Sequence, residues 1–406
     1  MNRHLFSSPA ADFDSHTATF GPLPECPHRG VLTGELAEAG LAGRGGAGFP
    51  TADKLAAISG RRTVVIGNGA EGEPLSDKDA VLLTHAPHLV IDGLVLAARE
   101  VGSREVYLYA DDARLPNLEH ALSQRLRADS RDPEVRLIAA PGGFVSGEKS
   151  SIVNRIGGGP AVPLDRRSHL SESGLRGRPT LVGNVETFAH LAMIARYGAR
   201  WFRARGMNGA AGTMLVTLSG NLRSVGVVEV PMGISLHHLL TEYAGTDPRA
   251  LRAVLAGGYH GGWITPAGLH STILTPASLA PYGASPGAGV IHGLGVERCG
   301  LRAAAGIVRY LSQQSARQCG PCINGLPRIA ESLENLALGH SVHTHEQELL
   351  FLTDMVNGRG ACRHPDGTVR LVRSSLRAFA SDVRQHSVGR CEAGLRANRF
   401  DLSDAS

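Results

Sequence analysis

Lysine is nearly missing from this 406-residue chain: only three of its 41 basic residues are lysines, and the rest are arginines. All three sit in glycine-rich or acidic stretches. Lys54 closes GRGGAGFPTADK, Lys78 lies in NGAEGEPLSDKD and Lys149 in PGGFVSGEKSS. An ammonium is a compact charge suited to a phosphate oxygen, whereas a guanidinium is a planar fork, and a glycine loop with a cation is what a phosphate cradle needs. Long apolar runs are also missing. None approaches the roughly 18 residues of a membrane span, and MNRHLFSSPAADFDS lacks an apolar core of signal-peptide length, so a soluble, cytoplasmic protein without a transmembrane segment is expected. Six cysteines, at positions 26, 299, 319, 322, 362 and 391, are too few and too clustered toward one end for a disulfide scaffold. The net charge of +4 is small for this size, and no basic stripe carries interleaved aromatics, so nucleic acid is not an expected partner. Glycine, by contrast, is abundant. Its 51 residues form no repeat, which points to many tight turns and close backbone approaches.

The length permits two or three domains, because single cores stop growing at roughly 250 to 300 residues. Residues 1–28 read as a loose, flexible arm. From Val31 the pattern alternates: a short helix through Leu36, a glycine loop, the apolar run Thr63 to Ile66 as a buried strand, helical spacing over His88 to Val101, a strand over Glu105 to Tyr109, a helix over Leu118 to Leu126 and a strand over Val135 to Ala139. Such βαβ alternation, with strands opening into glycine loops ahead of helices, predicts an α/β, Rossmann-like domain over residues 29–205 that binds a ligand at the carboxyl edge of a parallel sheet. Near Gly206 the character changes. GTMLVTLSG, GVVEVP, a short helix and RAVLAGG predict a β-grasp module over residues 206–292. Four apolar-faced helices, Leu301 to Leu311, Ile323 to Leu336, Glu346 to Asn357 and Leu371 to Arg384, predict a bundle over residues 293–388, followed by a tail at 389–406.

Four segments carry candidate chemistry. GRGGAGFP (Gly43 to Pro50) is more specific than a bare GxGxxG, since it holds an arginine, ends in an aromatic and proline, and precedes Lys54. Gly43, Gly45 and Gly46 let backbone amides approach a phosphate or a flat ring. Asn68, Glu71 and Glu73 crowd the end of a strand, where polar side chains reach sugar or ribityl hydroxyls; a solvated acidic turn explains them equally well. Gly147, Glu148 and Lys149 stand at a helix start, where a glutamate also complements the helix dipole. GRPTLVGNVETFAHL supplies Gly183, Asn184 and Thr187, with Asn184 an obvious helix cap.

Together these segments resemble the NADH-binding flavoprotein (51 kDa, F) subunit of respiratory complex I, a family that extends to subunits of NAD-linked hydrogenases and formate dehydrogenases. The resemblance runs from about Leu32 to His386, with GRGGAGFPTADKL, NGAEGEPLSDKD, GEKSSI, GRPTLVGNVET and the later SGNLRSVGVVEVPMG in the family's order. It implies FMN in the Rossmann-like domain, with Gly43, Arg44, Gly45, Gly46, Lys54, Asn68, Glu71, Gly147, Glu148, Gly183, Asn184 and Thr187 at flavin-contacting positions. It further implies a ubiquitin-like β-grasp domain of the SLBB type, and a nicotinamide pocket lined by Phe49 and by Glu73, the candidate catalytic residue. The implied activity is hydride transfer from NADH or NADPH to FMN and onward passage of single electrons to an iron–sulfur cluster and an acceptor protein, such as a ferredoxin-like or two-iron subunit. A non-catalytic flavin-binding scaffold and a metal-free diaphorase are the rival expectations.

Three departures from the family pattern bear on this. Ala70 stands where the family has a carboxylate, which removes one flavin hydrogen bond. Lys149 stands where the family has the glutamate that meets the adenosine ribose; a carboxylate favours a free 2′-hydroxyl and a cation a 2′-phosphate, so NADPH is expected to be tolerated or preferred, with help from Arg166. In SARQCGPCING (Ser315 to Gly325) Ala316 takes the place of the first cluster cysteine, leaving Cys319, Cys322 and Cys362. A thioredoxin-type dithiol is disfavoured because the pair sits between helices near the end of the sequence. The open outcomes are a cluster completed by a non-cysteine ligand such as His364 or by an exogenous thiol, a three-iron cluster, zinc, or no metal, with an iron–sulfur cluster favoured. Cys26, Cys299 and Cys391 match no cluster position and read as ordinary thiols.

Overall fold

The computed structural model describes residues 4–25, 28–60, 62–128, 132–165, 168–391 and 393. The chain packs as two compact units, one of Met1–Gly72, Ser76–Val216 and Glu229–Gly233, the other of Glu73–Leu75, Thr217–Val228 and Ile234–Ser406.

In the first unit, β1 (Val64–Gly69), β2 (Glu105–Asp111), β3 (Val135–Ala140) and β4 (Thr180–Asn184) form a parallel sheet in the order β3-β2-β1-β4. Val64, Val65 and Ile66 are buried, as a central parallel strand covered on both faces requires. Because the chain moves from β1 to β2 on one side and reaches β4 on the other, strand order reverses between β1 and β4. A sheet of this class binds ligands at that switch point, off the strands' carboxyl ends. The register sets Asn68 of β1 beside Asn184 of β4 there.

Beneath that edge the helices Pro87–Val101 and Val185–Arg203 cross at Gly93. A Cβ on Gly93 would lie 1.9 Å from the Phe188 carbonyl oxygen, so only glycine permits the crossing. Gly93→Ala is therefore expected to destabilise the protein by about 1–3 kcal/mol or more through overpacking, seen as a lower urea midpoint with an unchanged slope. No single helix among the described residues is long and apolar enough to cross a membrane. The helices Lys78–His85 and Pro87–Val101, bent by 95° at their junction, pass that test jointly, but the second is buried along nearly its whole length.

The N-terminal segment is not a loose arm. Phe13–Phe20 is a helix capped by the Asp12 side chain, which accepts from the Ser15 N–H, and it buries His16 and Phe20. His16 Nε2 lies 2.8 Å from Asp92 Oδ2, and the same carboxylate meets Arg125 at 2.8 Å and also Arg196. Although burial works against the Asp92 carboxylate, these partners hold its pKa far below the ordinary range.

A second, mixed sheet is formed by β5 (Thr213–Gly220), β6 (Gly226–Pro231), β7 (Leu251–Ala256), β8 (Gly262–Ile264) and β9 (Val290–Gly295), ordered β6-β5-β9-β7-β8. Strands β5 and β9 run parallel, while β7 is antiparallel to both β8 and β9. The C-terminal helices are Gly300–Gln313, Leu326–Leu338, Val342–Val356, His364–Ala378 and Ala380–Ser387. Two expectations change. The single helix expected over Leu371 to Arg384 breaks at Phe379, whose backbone (φ −111°, ψ 28°) leaves the helical region. The sheet and the helices, expected as separate domains at 206–292 and 293–388, form one unit. The reason is local: the Trp263 N–H donates to Ser374 Oγ at 2.8 Å, that hydroxyl donates to the Tyr282 carbonyl, and the Trp263 ring packs edge-on against Phe379.

Candidate nucleotide cleft and cysteine centre

At the switch point the glycine loop, the ends of β1 and β4 and the start of the Lys149–Ile156 helix surround one cleft, lined by Gly43, Gly45, Ala47, Gly48, Lys54, Asn68, Gly147, Lys149, Val182, Gly183, Asn184 and Thr187. Nine residues expected from the sequence thus converge on it. Gly48 (φ +60°) has nothing within 4 Å of where a Cβ would project, so main chain is bared there. The Asn68 carboxamide donates to the Gly147 carbonyl at 3.0 Å, which ties the third loop to the second. Thr187 Oγ1 accepts the Arg44 N–H at 2.9 Å, which ties the first loop to the fourth.

Two ammonium groups face this cleft. Among the described residues neither Lys54 nor Lys149 has a carboxylate partner; Lys54 has the Phe49 ring, 5.9 Å from its Nζ. Burial, reinforced by the nearby Lys149 cation, pushes Lys54 down to about 8. Like charges held together without a counterion describe an anion site. The space among these residues, open solvent included, is ≈ 420 Å³.

Other expected residues are engaged beside or beneath the cleft. Arg44 is 5% exposed; its guanidinium donates to the Thr213 carbonyl at 2.9 Å and lies 3.9 Å from Glu186. Glu71 accepts from the N–H groups of Asp79 (3.1 Å) and Ala80 (3.2 Å), and so caps the Lys78–His85 helix. Glu148 caps its own helix, accepting from Ser150 N–H at 2.7 Å and Ser151 N–H at 3.2 Å, the simple role the sequence allowed. Gly46 sits in the loop at φ +100°. Phe49 is 49% exposed. Glu73 groups with the second unit, where its Oε2 accepts the Tyr259 N–H at 2.7 Å. Arg166 lies outside the described residues, as does Cys26.

Lys78 departs most from the phosphate-cradle reading. It is 2% exposed, with its Nζ 2.6 Å from Asp79 Oδ1, 3.0 Å from Glu186 Oε2 and 3.1 Å from Asn184 Oδ1. Asn184 returns its carboxamide N–H to Asp79 Oδ2 at 2.6 Å. Burial works against the Lys78 charge, but Asp79, Glu186 and Glu71 outweigh it and raise its pKa. Burial likewise pushes the Glu186 carboxyl up, yet Lys78, His190 and Arg44 bring it down to about 2. Asp79, the carboxylate left over when two cations face three acids, is pushed up to about 7 by burial. The sequence reading passed over Glu186 and Asp79; the signal available was an acidic residue inside each loop string already singled out.

In the second unit Cys319 opens a turn of helix: the N–H groups of Cys322 (3.1 Å) and Ile323 (3.0 Å) both donate to its carbonyl. Burial first, then Cys319 and Cys362, push the Cys322 thiol up to about 12, so three thiols act on one another. His364 Nε2 lies 2.8 Å from the Leu311 carbonyl oxygen. Ser315 Oγ, next to Ala316, is buried without a well-formed hydrogen bond and lies close enough to Cys322 to favour its thiolate. Soft donors of this kind fit an iron–sulfur group.

A doubly wound sheet with bared glycine backbone and unneutralised ammonium groups at its switch point, followed by a helical unit with clustered thiols, defines a nucleotide-binding redox protein. The comparisons narrow the class. Residues 36–193 match the family described as Nuo51 FMN-binding domain, and residues 302–386 the NADH-ubiquinone oxidoreductase-F iron-sulfur binding region. The chain belongs to the complex I 51 kDa (NuoF) family. It is 28% identical over 366 residues to the F 2 subunit of the NADH-quinone oxidoreductase of Rhizobium meliloti, covering 86% of this chain and 87% of that one. It is 29% identical over 367 residues to the HndC subunit of the NADP-reducing hydrogenase of Solidesulfovibrio fructosivorans, covering 86% and 74%. Two solved structures of an NAD+-reducing nickel–iron hydrogenase are 29% identical to it. The air-oxidised state superposes with a TM-score of 0.78 over 99% of this chain and 67% of that one, the H2-reduced state with 0.77 over 87% and 62%.

Proposed function

We propose that this protein is an FMN-dependent NADH dehydrogenase that passes electrons singly through an iron–sulfur cluster to an external acceptor. The observation that carries the reading is the cleft itself, where two ammonium groups without carboxylate partners meet glycine main chain and two carboxamides at a sheet switch point. Bound FMN supplies a hydride acceptor that can return electrons one at a time. The chain's own residues hold and orient. Lys54 takes the anionic flavin phosphate, the Gly43–Gly48 loop brings main chain up to the ring, and Asn68 and Asn184 present carboxamides at adjoining strand ends. Arg44, Glu71 and Glu148 act one layer behind, fixing the loops that carry those groups. Phe49 lines the nicotinamide side and Glu73 is the candidate catalytic carboxylate.

Three finer features belong to the same proposal. The strand order β6-β5-β9-β7-β8, with a short helix after the first strand pair, supports a β-grasp module of the SLBB type. Cys319, Cys322 and Cys362 hold the cluster, with the Ser315 hydroxyl beside Cys322 and adjoining Ala316 in sequence. The acceptor is a protein, ferredoxin-like or a two-iron subunit, since exposed Ile323, Leu350, Phe351 and Met355 offer apolar surface on the cysteine turn and on the Val342–Val356 helix. Lys149, exposed at the cleft mouth, favours tolerance of NADPH, in keeping with likeness to a subunit of an NADP-reducing hydrogenase. None of the five described cysteines is in a disulfide, which supports a reducing, cytoplasmic setting.

Anaerobic purification with flavin, iron and sulfide assays tests the whole. The expected result is a yellow-brown protein whose flavin band is bleached by both NADH and NADPH. Bleaching without iron would favour the metal-free diaphorase that Ala316 invites, and a colourless chain that ignores added FMN would favour a scaffold. Bleaching by NADH far faster than by NADPH would remove the cation argument at Lys149.

A further inference from the structure

Away from the cysteine turn, the second unit holds another group of soft ligands. Cys299 Sγ, His386 Nε2 and Cys391 Sγ all lie within 4.8 Å of one another, with Cys299 and His386 buried. We propose that these three residues form a zinc-class metal site, distinct from the iron–sulfur cysteines, that staples the end of the last helix to the start of the first helix of the bundle.

The geometry fits a tetrahedral ion. Metal–sulfur and metal–nitrogen bonds of about 2.3 and 2.0–2.1 Å at a tetrahedral angle place the two ligand atoms about 3.5–3.6 Å apart. Cys299 Sγ and His386 Nε2 are 3.6 Å apart. Two thiolates and an imidazole are a donor set suited to zinc. Cys299 is also the N-cap of the Gly300–Gln313 helix, where unsatisfied N–H groups and the positive end of the dipole favour a thiolate.

The surroundings agree. Asp382 stands one turn before His386 on the same helix, is 1% exposed, and acts electrostatically on both Cys299 and His386. One of its oxygens pairs with Arg252, while Oδ2 is buried with no hydrogen-bond partner. This group escaped the sequence reading because the two cysteines lie far apart along the chain and no short ligand spacing announces them.

The test is metal content of the full chain, purified reduced with added zinc and then dialysed. One zinc per chain is expected in the wild type, with sulfur and nitrogen ligands by X-ray absorption. Cys391→Ala, beyond the last helix, and Cys299→Ser should each lower retained zinc more than tenfold while flavin and iron are unchanged. Cys322→Ala should lose iron and keep the zinc, which separates this site from the cluster. Zinc retained equally by Cys391→Ala and Cys299→Ser, no zinc in the folded wild type, or a Cys299–Cys391 disulfide in reduced preparations would each overturn the proposal.

Discussion

Lys78→Met is expected to destabilise the protein by about 3–5 kcal/mol, because removing one partner leaves buried charges uncompensated, and the variant is expected to purify without flavin. Lys78 is the cation shared by Asp79 and Glu186, and its third contact, Asn184, lines the cleft. Methionine keeps the volume and discards the charge. Lys78→Arg should not rescue, since a planar fork cannot replace a compact ammonium that meets three acceptors in a fully enclosed space. The pH dependence has a definite sign. In the wild type Glu186 titrates at about 2, below its unfolded value of 4.5, so its contribution is present above 4.5 and lost as pH falls toward 2. In the variant that carboxyl loses its chief partner and its pKa rises, so the deficit should be largest near neutral pH and shrink toward pH 5. Urea midpoints at two pH values, with visible absorbance for flavin, measure both effects. A variant that melts like the wild type would show that the network is not what supports the cleft.

That network also marks where the sequence stopped being legible. The alternation of apolar strands with glycine loops declared the parallel sheet, since buried strands must be continuous apolar runs and their ends must turn. Nine cleft residues follow from that pattern because they lie in a glycine loop, at the end of a strand or in the first turn of a helix. What the sequence concealed are pairings between distant positions. Nothing local distinguishes Lys78, two residues past an ordinary acidic turn, from an exposed lysine; its burial comes from Glu186, more than a hundred residues later. Likewise His16 reads as part of a polar arm until Asp92 is brought within 2.8 Å. The break at Phe379 escaped for the opposite reason, since apolar residues keep helical spacing across it while the backbone does not. Side-chain partners were hidden too: the loops of Arg44, Glu71 and Glu148 do not announce that these side chains meet the Thr213 carbonyl, the Asp79 N–H and the Ser150 N–H.

The remaining large effect concerns Lys54, and it should appear as a pH dependence of flavin affinity. In the ligand-free protein burial and Lys149 hold Lys54 at about 8, well below the ordinary 10.5. A phosphate dianion placed beside the Lys54 ammonium reverses that balance, so binding must draw in a proton once the free protein has begun to lose it. FMN affinity is therefore expected to be level below pH 8 and to weaken by up to about tenfold per pH unit above it, the limit for one linked proton. The stability of the flavin-free protein moves the other way: the folded state holds this proton less tightly than the unfolded chain, so that penalty is present below pH 8 and fades as pH rises from 8 toward 10.5. Lys54→Met should weaken FMN binding by about one to two orders of magnitude, the worth of a charge-assisted hydrogen bond, and should abolish the alkaline loss. Calorimetric titration with FMN in buffers of differing ionisation heat reads the proton uptake directly. No uptake at pH 8.5 in the wild type, or an unchanged alkaline loss in Lys54→Met, would place the phosphate away from this ammonium and leave Lys149 as the remaining cation of the cradle.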